Sequence, residues 1–290
     1  MSTKVALVTG CSNGGIGSYI CKSLASMGVR VYATARRAPA MSDLEGTPNI
    51  VGTLAMDVTD EESVKKTVEE ILAREGRIDV LVNNAGVSAT GTVVETEVEL
   101  AREVFDANVF GMLRVVRAVA PGMIERGTGI VVNVGSVVGL VALPLSGAYN
   151  ASKAALHSYS DALRVEMKPF GVRVVVVAPG AIKSNIASNN VSGMRTVESK
   201  YFNKDVIYNR ANASQRDSTP TEAFASHVTK MFMDENCPNY VIYGKTSSLF
   251  KVFYHFPSRI IDIILARRFN VNSSTALLPP AESAQGSRTD

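Results

Sequence analysis

The sequence has few cysteines, no strong excess of charge of either sign and no long apolar run, and each absence removes a class of protein. Its three cysteines, Cys11, Cys21 and Cys237, show neither the spacing of a metal site nor the paired framework of a small secreted domain. They read as small thiols in a reducing compartment, and no metal is expected. The net charge is +3, with 30 Lys and Arg spread along the chain. Such a balance gives no basic stripe for nucleic acid, so no nucleic-acid partner is expected. The best candidate for a membrane span, Leu249 to Ala266, is interrupted by Lys251, His255, Pro257, Arg259 and Asp262, whereas a spanning helix needs about 18 or more apolar residues. A strand pattern starts within four residues of Met1, which leaves no room for a signal sequence and sets the expectation of a cytoplasmic protein.

What remains is a chain of 290 residues, 46% hydrophobic and 20% charged, long enough to bury the core of one large α/β domain. Short apolar runs recur at Val5 to Val8, Val29 to Ala33, Val80 to Val82, Ile130 to Val134 and Val172 to Ala178. Most do not alternate with polar residues, so both faces of the strands are expected to be covered. Helical stretches separate them: Ile16 to Met27, Glu61 to Arg74, Val98 to Glu125, Tyr149 to Met167 and Thr221 to Met233. This order predicts a single doubly wound parallel sheet of Rossmann type, flanked by helices, with ligands at the C-terminal edge of its strands.

Residues 1–245 form the catalytic domain in this reading. Within it, Ala181 to Ser218 is a polar insertion placed as a substrate lid. Residues 246–270 form an apolar and basic extension, "LFKVFYHFPSRIIDIILARRF" at its centre, and 271–290 a polar tail expected to be disordered. Two readings of the extension stand: an amphipathic helix on a membrane or lipid-droplet surface, with Arg267 and Arg268 beside Ile260 to Leu265, or a helix packed over the substrate pocket or a subunit interface.

The stretch "TGCSNGGIG", Thr9 to Gly17, lies between the first strand and the first helix. Glycines there let backbone approach a pyrophosphate, although the spacing departs from G-x-G-x-x-G and a glycine-rich turn is often only a turn. At the end of the second strand, where NAD enzymes carry an acidic residue for the ribose, the chain has Ala35 followed by Arg36 and Arg37. Guanidinium groups there suit a 2′-phosphate, which favours NADP(H). Tyr149 and Lys153 stand four apart at a helix start and so share one face. A nearby ammonium favours the phenolate and lowers the pKa of a tyrosine, making it a usable proton donor. Ser136 is expected to end the strand "IVVNVGS" at the ligand edge, where its hydroxyl can bond a carbonyl.

The set "TG…GGIG", "NNAG" (Asn83 to Gly86), Asn108 in "ANVFG", Ser136, "YxxxK" and "PG" (Pro179, Gly180) resembles the short-chain dehydrogenase/reductase family over roughly residues 4 to 245. The resemblance implies that Tyr149 is the general acid or base, that Ser136 holds the carbonyl oxygen, that Lys153 binds the nicotinamide ribose and depresses the Tyr149 pKa, and that Asn108 positions a water that relays protons. It implies cofactor contacts from Gly10, Ser12, Gly15, Ile16, Gly17, Arg36, Arg37, Asp57, Val58, Asn84, Ala85, Gly86, Tyr149, Lys153, Pro179, Gly180, Ile182 and Ser184. Two departures stand out: Ser184 where the family usually has Thr, and one extra residue between Gly10 and Gly15–Gly17, expected to bulge outward.

"ATARRAPAM", "VEMKPFGVRV" and the aromatic extension are similar to fungal NADPH-dependent acyl-dihydroxyacetone-phosphate reductases, and related sequences serve as ketoreductases of fungal secondary metabolism. The implied function is NADPH-dependent reduction of a ketone with an apolar portion. Oxidation of an alcohol and a non-catalytic cofactor-binding scaffold are the alternatives. The family further implies a homodimer or homotetramer built on the Val98–Glu125 and Tyr149–Met167 helices; the N-terminus and the extension set the expected location, cytoplasmic or peripheral on the endoplasmic reticulum or lipid droplets. His157 is expected to be packing or surface, and His227 and His255 to have no role.

Overall fold

The first strand, β1 (Val5–Thr9), is buried at every position, as an unbroken apolar run in the middle of a parallel sheet must be. Its side chains alternate between two cores: Ala6 and Val8 face one, Val5 and Leu7 the other. The computed structural model describes residues 3–184, 199–215, 217–272 and 277.

Seven parallel strands form one sheet in the order β3-β2-β1-β4-β5-β6-β7. The others are β2 (Arg30–Ala35), β3 (Ile50–Ala55), β4 (Val80–Asn83), β5 (Gly129–Val134), β6 (Val172–Pro179) and β7 (Tyr240–Tyr243). Helices α1 (Ile16–Ser26) and α7 (Thr221–Met233) cover one face, where Ile20, Leu24, Phe224, Val228 and Phe232 meet the sheet. Helices α2 (Glu61–Glu75), α4 (Gly111–Arg126) and α5 (Gly147–Met167) cover the other, through Val68, Ile71, Val115, Val119, Met123 and Leu156. Each fully buried side chain of this kind contributes about 2 kcal/mol. Capping sharpens the helix ends: the Asp60 carboxylate accepts from the N–H groups of Glu62 and Ser63 at the start of α2, and left-handed Gly76 closes it.

The five expected strands and their doubly wound order are present, together with two that were not anticipated. β3 and β7 are the edge strands. The stretch expected as one helix from Val98 to Glu125 is α3 (Val98–Phe105), a π-helical turn at Asp106–Phe110, and α4. This continuous run is long and apolar enough to cross a membrane by composition, yet half of its apolar window is buried inside the protein. Of the expected lid, residues 185–198 and 216 lie outside the described residues; the remainder contains α6 (Lys204–Ala211). The extension forms α8 (Ser247–Phe253) and α9 (Ser258–Arg268). Of the expected tail, Val271 packs beside Leu145, Val206 and Ile207 and Leu277 bridges Phe202; apart from Asn272, the rest lies outside the described residues.

Strand order reverses between β1 and β4, which opens a crevice at their C-terminal ends. A buried polar chain crosses the sheet near that edge: Asn83 donates to Asn133 and Asn133 to Ser160, each at 2.9 Å.

Candidate active site

Beyond β1 the chain must turn sharply against the segment that follows β4. Gly10 adopts φ +71°, and a Cβ there would fall 2.6 Å from the Cα of Ala85. Gly17 is equally constrained, since its Cβ would meet the Asn84 amide at 2.6 Å and the Gly10 carbonyl at 2.7 Å. Thr9 and Asn84 tie the two segments together. The Thr9 hydroxyl accepts from the N–H groups of Asn84 and Ala85, and Asn84 Nδ2 donates to the carbonyls of Thr9 and Gly10.

The extra residue turns away from the crevice. Asn13 N–H donates to the Ala40 carbonyl, its side chain bonds Ser42 and the Asp43 backbone, and left-handed Gly14 gives its N–H to the Asp43 carboxylate at 3.3 Å. Ser18 and Lys22 hold the same carboxylate, and together with the Gly14 N–H they lower its pKa against the effect of burial. Gly10, Ser12, Gly15 and Ile16 line a crevice of about 180 Å³; Gly14 does not. Arg36, Asp57, Val58, Asn84, Ala85, Gly86 and Ser184 complete it. Arg36 and Arg37 are both exposed, but only Arg36 lines the crevice. Asp57 is fixed by accepting from the N–H and hydroxyl of Thr59. A floor whose turns at Gly10 and Gly15 have no room for a side chain, with a guanidinium just after β2, fits an adenine dinucleotide carrying an additional phosphate.

A larger cavity of about 930 Å³ adjoins this crevice, and Ile16, Asn84, Gly86 and Ser184 line both. Ser136, Tyr149, Lys153, Pro179, Gly180 and Ile182 converge on it. Ser136 does not end a strand: β5 stops at Val134, and Ser136 caps a short turn at Val137–Gly139, accepting from the Val138 N–H at 3.3 Å. Lys153 is buried and donates to the Val134 carbonyl at 2.9 Å. Burial lowers its pKa to about 8. The ammonium lies 5.9 Å from the Tyr149 ring centre.

The electrostatics of Tyr149 differ from expectation. Burial raises its pKa above the ordinary value, and the groups that pull it back are the Ser136 hydroxyl, which hydrogen-bonds it, and the charge of Arg210 on α6. Lys153 is engaged by the Val134 carbonyl instead.

Asn108 lies in the π-helical turn and is buried. Its amide brackets Val87, accepting from the N–H at 2.8 Å and donating to the carbonyl at 2.9 Å, and also donates to Ser152. Gly86 leaves room for it: a Cβ there would lie 2.9 Å from Asn108 Oδ1 and 3.7 Å from Lys153 Nζ.

His157, expected to be packing or surface, is buried and accepts from the Ser136 backbone N–H at 3.3 Å through Nε2. A Cβ at Gly135 would come within 2.1 Å of that nitrogen, so the glycine beside Ser136 exists to admit the ring. The signal for it was present in the sequence, since His157 follows Lys153 by one helical turn on the same face. Burial, then the charge of Lys153, lower its pKa from 6.5 to about 4 against the pull of Asp161. The unfolded chain therefore binds a proton below about 6.5 that the folded one refuses, and stability, full above that pH, declines as pH falls towards 4. The expected loss is about 3 kcal/mol across the window. Thermal unfolding between about pH 7 and pH 4 should show a steeper decline for the wild type than for His157→Gln; parallel curves would assign the linkage elsewhere.

The far wall of the cavity comes from α6 and the extension. Val206, Asn209 and Arg210 line it, with Phe250, Arg268, Phe269 and Asn270. Phe250 packs with Val137, Val138, Leu143 and Tyr149, and Phe253, Ile261 and Leu265 pack beneath it with Val141 and Leu143. The inner face of the extension thus belongs to the pocket. Nothing in the polar pattern of the insertion singled out Arg210. The cysteines are free, with Cys11 and Cys21 buried at 3.4 Å between sulfurs.

Comparison with known proteins agrees with this geometry. The family model for short chain dehydrogenases matches residues 4–195. Short-chain dehydrogenase fogD of Aspergillus ruber is 36% identical over 277 residues, 93% of this chain and 95% of the relative. The NADPH-dependent 1-acyldihydroxyacetone phosphate reductase of Schizosaccharomyces pombe is 35% identical over 249 residues, 86% and 82% of the two chains. Among solved structures, a short-chain dehydrogenase from Streptomyces avermitilis superposes with a TM-score of 0.78 at 31% identity, covering 94% of this chain and 99% of its own. A Burkholderia cenocepacia short chain dehydrogenase in complex with NADP superposes at 0.70 and 26% identity, covering 91% and 98%. The chain belongs to the short-chain dehydrogenase/reductase family. It is an NAD(P)-dependent oxidoreductase, with fungal dehydrogenases and reductases among its relatives.

Proposed function

We propose that the chain is a carbonyl reductase that uses NADPH to reduce a ketone with an apolar portion, of acyl-dihydroxyacetone-phosphate or secondary-metabolite type. The observation that carries this is the convergence of Ser136, Tyr149 and Lys153 on one apolar-walled cavity continuous with the crevice that Arg36 lines. The cofactor is NADP(H): the floor formed by Gly10, Gly15 and Ile16 receives its pyrophosphate, Arg36 its 2′-phosphate, and Lys153, Ile182 and Ser184 its nicotinamide end.

The chemistry that bound NADPH supplies is a hydride for the carbonyl carbon. The protein positions the carbonyl oxygen between Ser136 and Tyr149 and delivers the proton. Burial holds the Tyr149 proton, and the Ser136 hydroxyl and the charge of Arg210 work against that effect, which leaves the phenol protonated before transfer and eases its release. The Ser136 hydroxyl stabilises charge growing on the oxygen. The Lys153 ammonium, held by the Val134 carbonyl 5.9 Å from the Tyr149 ring centre, is placed for the ribose of the cofactor. Val138, Leu143, Val206 and Phe250 give the cavity an apolar wall, which supports an acyl or polyketide body in the substrate. NADPH oxidation by the purified protein, with long-chain acyl ketones and polycyclic ketones side by side, tests the assignment. No turnover with any of them, while NADPH still binds, would favour a scaffold role.

The outer face of the extension exposes Val252, Tyr254, Phe256, Ile260 and Ile263 beside exposed Lys251, Arg259 and Arg267. Apolar residues rimmed by basic ones support peripheral contact with an anionic lipid surface. Flotation with vesicles containing phosphatidylserine should carry the protein upward, and vesicles of phosphatidylcholine alone should not; equal behaviour would reject the contact.

A further inference from the structure

Arg210 is a buried charge with its recognition face open. It is only 9% exposed, on a helix whose Val206 and Ile207 pack against Leu145. Its Nε donates to the Pro144 carbonyl at 3.0 Å, and its guanidinium lies 5.6 Å from the centre of the Phe269 ring. Those two contacts fix the plane of the group. Among the described residues its terminal nitrogens have no acceptor and no carboxylate pairs with it. The acidic residues on the cavity rim are engaged or turned out: Asp217 pairs with Lys245 at 3.1 Å, and Asp205 is exposed.

A desolvated guanidinium without a counter-charge is costly, and the cost is offset when an anion enters the same cavity. Burial lowers the pKa of Arg210 to about 10, so the group is charged at neutral pH. It lines the same cavity as Ser136 and Tyr149, which puts it within the reach of a substrate whose carbonyl sits between those two.

We propose that Arg210 is a specificity-determining residue that receives an acidic oxygen group, phosphate or carboxylate, carried by the substrate close to its reducible carbonyl. The planar fork matches either group bidentately, while the apolar wall takes the rest of the molecule. This deepens the reductase reading and rests on it.

Two ketone pairs provide the test: an acyl-dihydroxyacetone phosphate beside its dephosphorylated counterpart, and a 3-oxo fatty acid beside its methyl ester. The wild-type enzyme should prefer the charged member of one pair, and which pair it is separates phosphate from carboxylate. Arg210→Met should lower kcat/KM for that substrate about a hundredfold, mainly through KM. The loss on the uncharged counterpart, which reads only the Arg210 charge at Tyr149, should be at least about tenfold smaller, and Arg210→Lys should retain part of the preference. Equal losses on charged and uncharged ketones would overturn the proposal by reducing Arg210 to a structural or Tyr149-tuning role. Wild-type preference for the uncharged member of both pairs would overturn it without any variant, and would leave the reductase reading intact. No NADPH oxidation with any of the four would overturn both.

Discussion

Tyr149→Phe should reduce ketone turnover by about a thousandfold or more, because it removes the proton donor and leaves everything else in place. That loss corresponds to roughly 4 kcal/mol of transition-state stabilisation. The ring keeps its packing beside Val137, Val138 and Phe250, so the fold should not respond. NADPH affinity should change by less than about threefold, since the glycine floor and Arg36 lie in the neighbouring crevice. Single-turnover NADPH oxidation and fluorescence titration of the cofactor separate the two effects. A variant that still reduces ketones would remove Tyr149 from the mechanism, and one that also loses the cofactor would make its role structural.

The second large effect concerns cofactor choice. Arg36→Ala should raise KM for NADPH roughly thirtyfold, as loss of a charge-assisted contact to phosphate predicts, and leave KM for NADH nearly unchanged. Arg37→Ala is the internal control: its side chain is exposed and does not line the crevice, and the variant should keep the wild-type preference. Equal losses with both cofactors in Arg36→Ala would mean that the 2′-phosphate is read by another group.

How much of this was legible beforehand depended on burial. The central strands announced themselves because a strand covered on both faces needs an unbroken apolar run, and β1, β4 and β5 are buried throughout. The edge strands gave no such signal. β3 is half exposed along most of its length and carries Gly52, which leaves room for the Tyr32 ring, and β7 is four residues long. The π-helical turn around Asn108 was hidden inside a helical pattern, because one extra residue in a turn hardly alters the periodicity.

At the site, local spacing revealed Tyr149 and Lys153, one turn apart on α5, and the glycines whose positions are set by backbone contact with Asn84 and Ala85. It could not reveal Arg210, which joins Tyr149 in the cavity lining only because α6 folds back over the cavity. The Tyr149 ionisation was misread for a similar reason. Sequence spacing put Lys153 beside the phenol, while the fold directs that ammonium to the Val134 carbonyl.

The extension's position on the far side of the cavity divides labour along the chain. The family model ends at residue 195, having covered the glycine floor and the Ser136, Tyr149 and Lys153 chemistry, whereas Val206, Arg210, Phe250 and Phe269 all come later. The Ser136, Tyr149 and Lys153 cluster and the far wall of the cavity therefore lie on consecutive stretches of chain. Grafting residues 199–272 from a relative onto this chain should exchange the ketone it accepts while the proton-delivery machinery stays native.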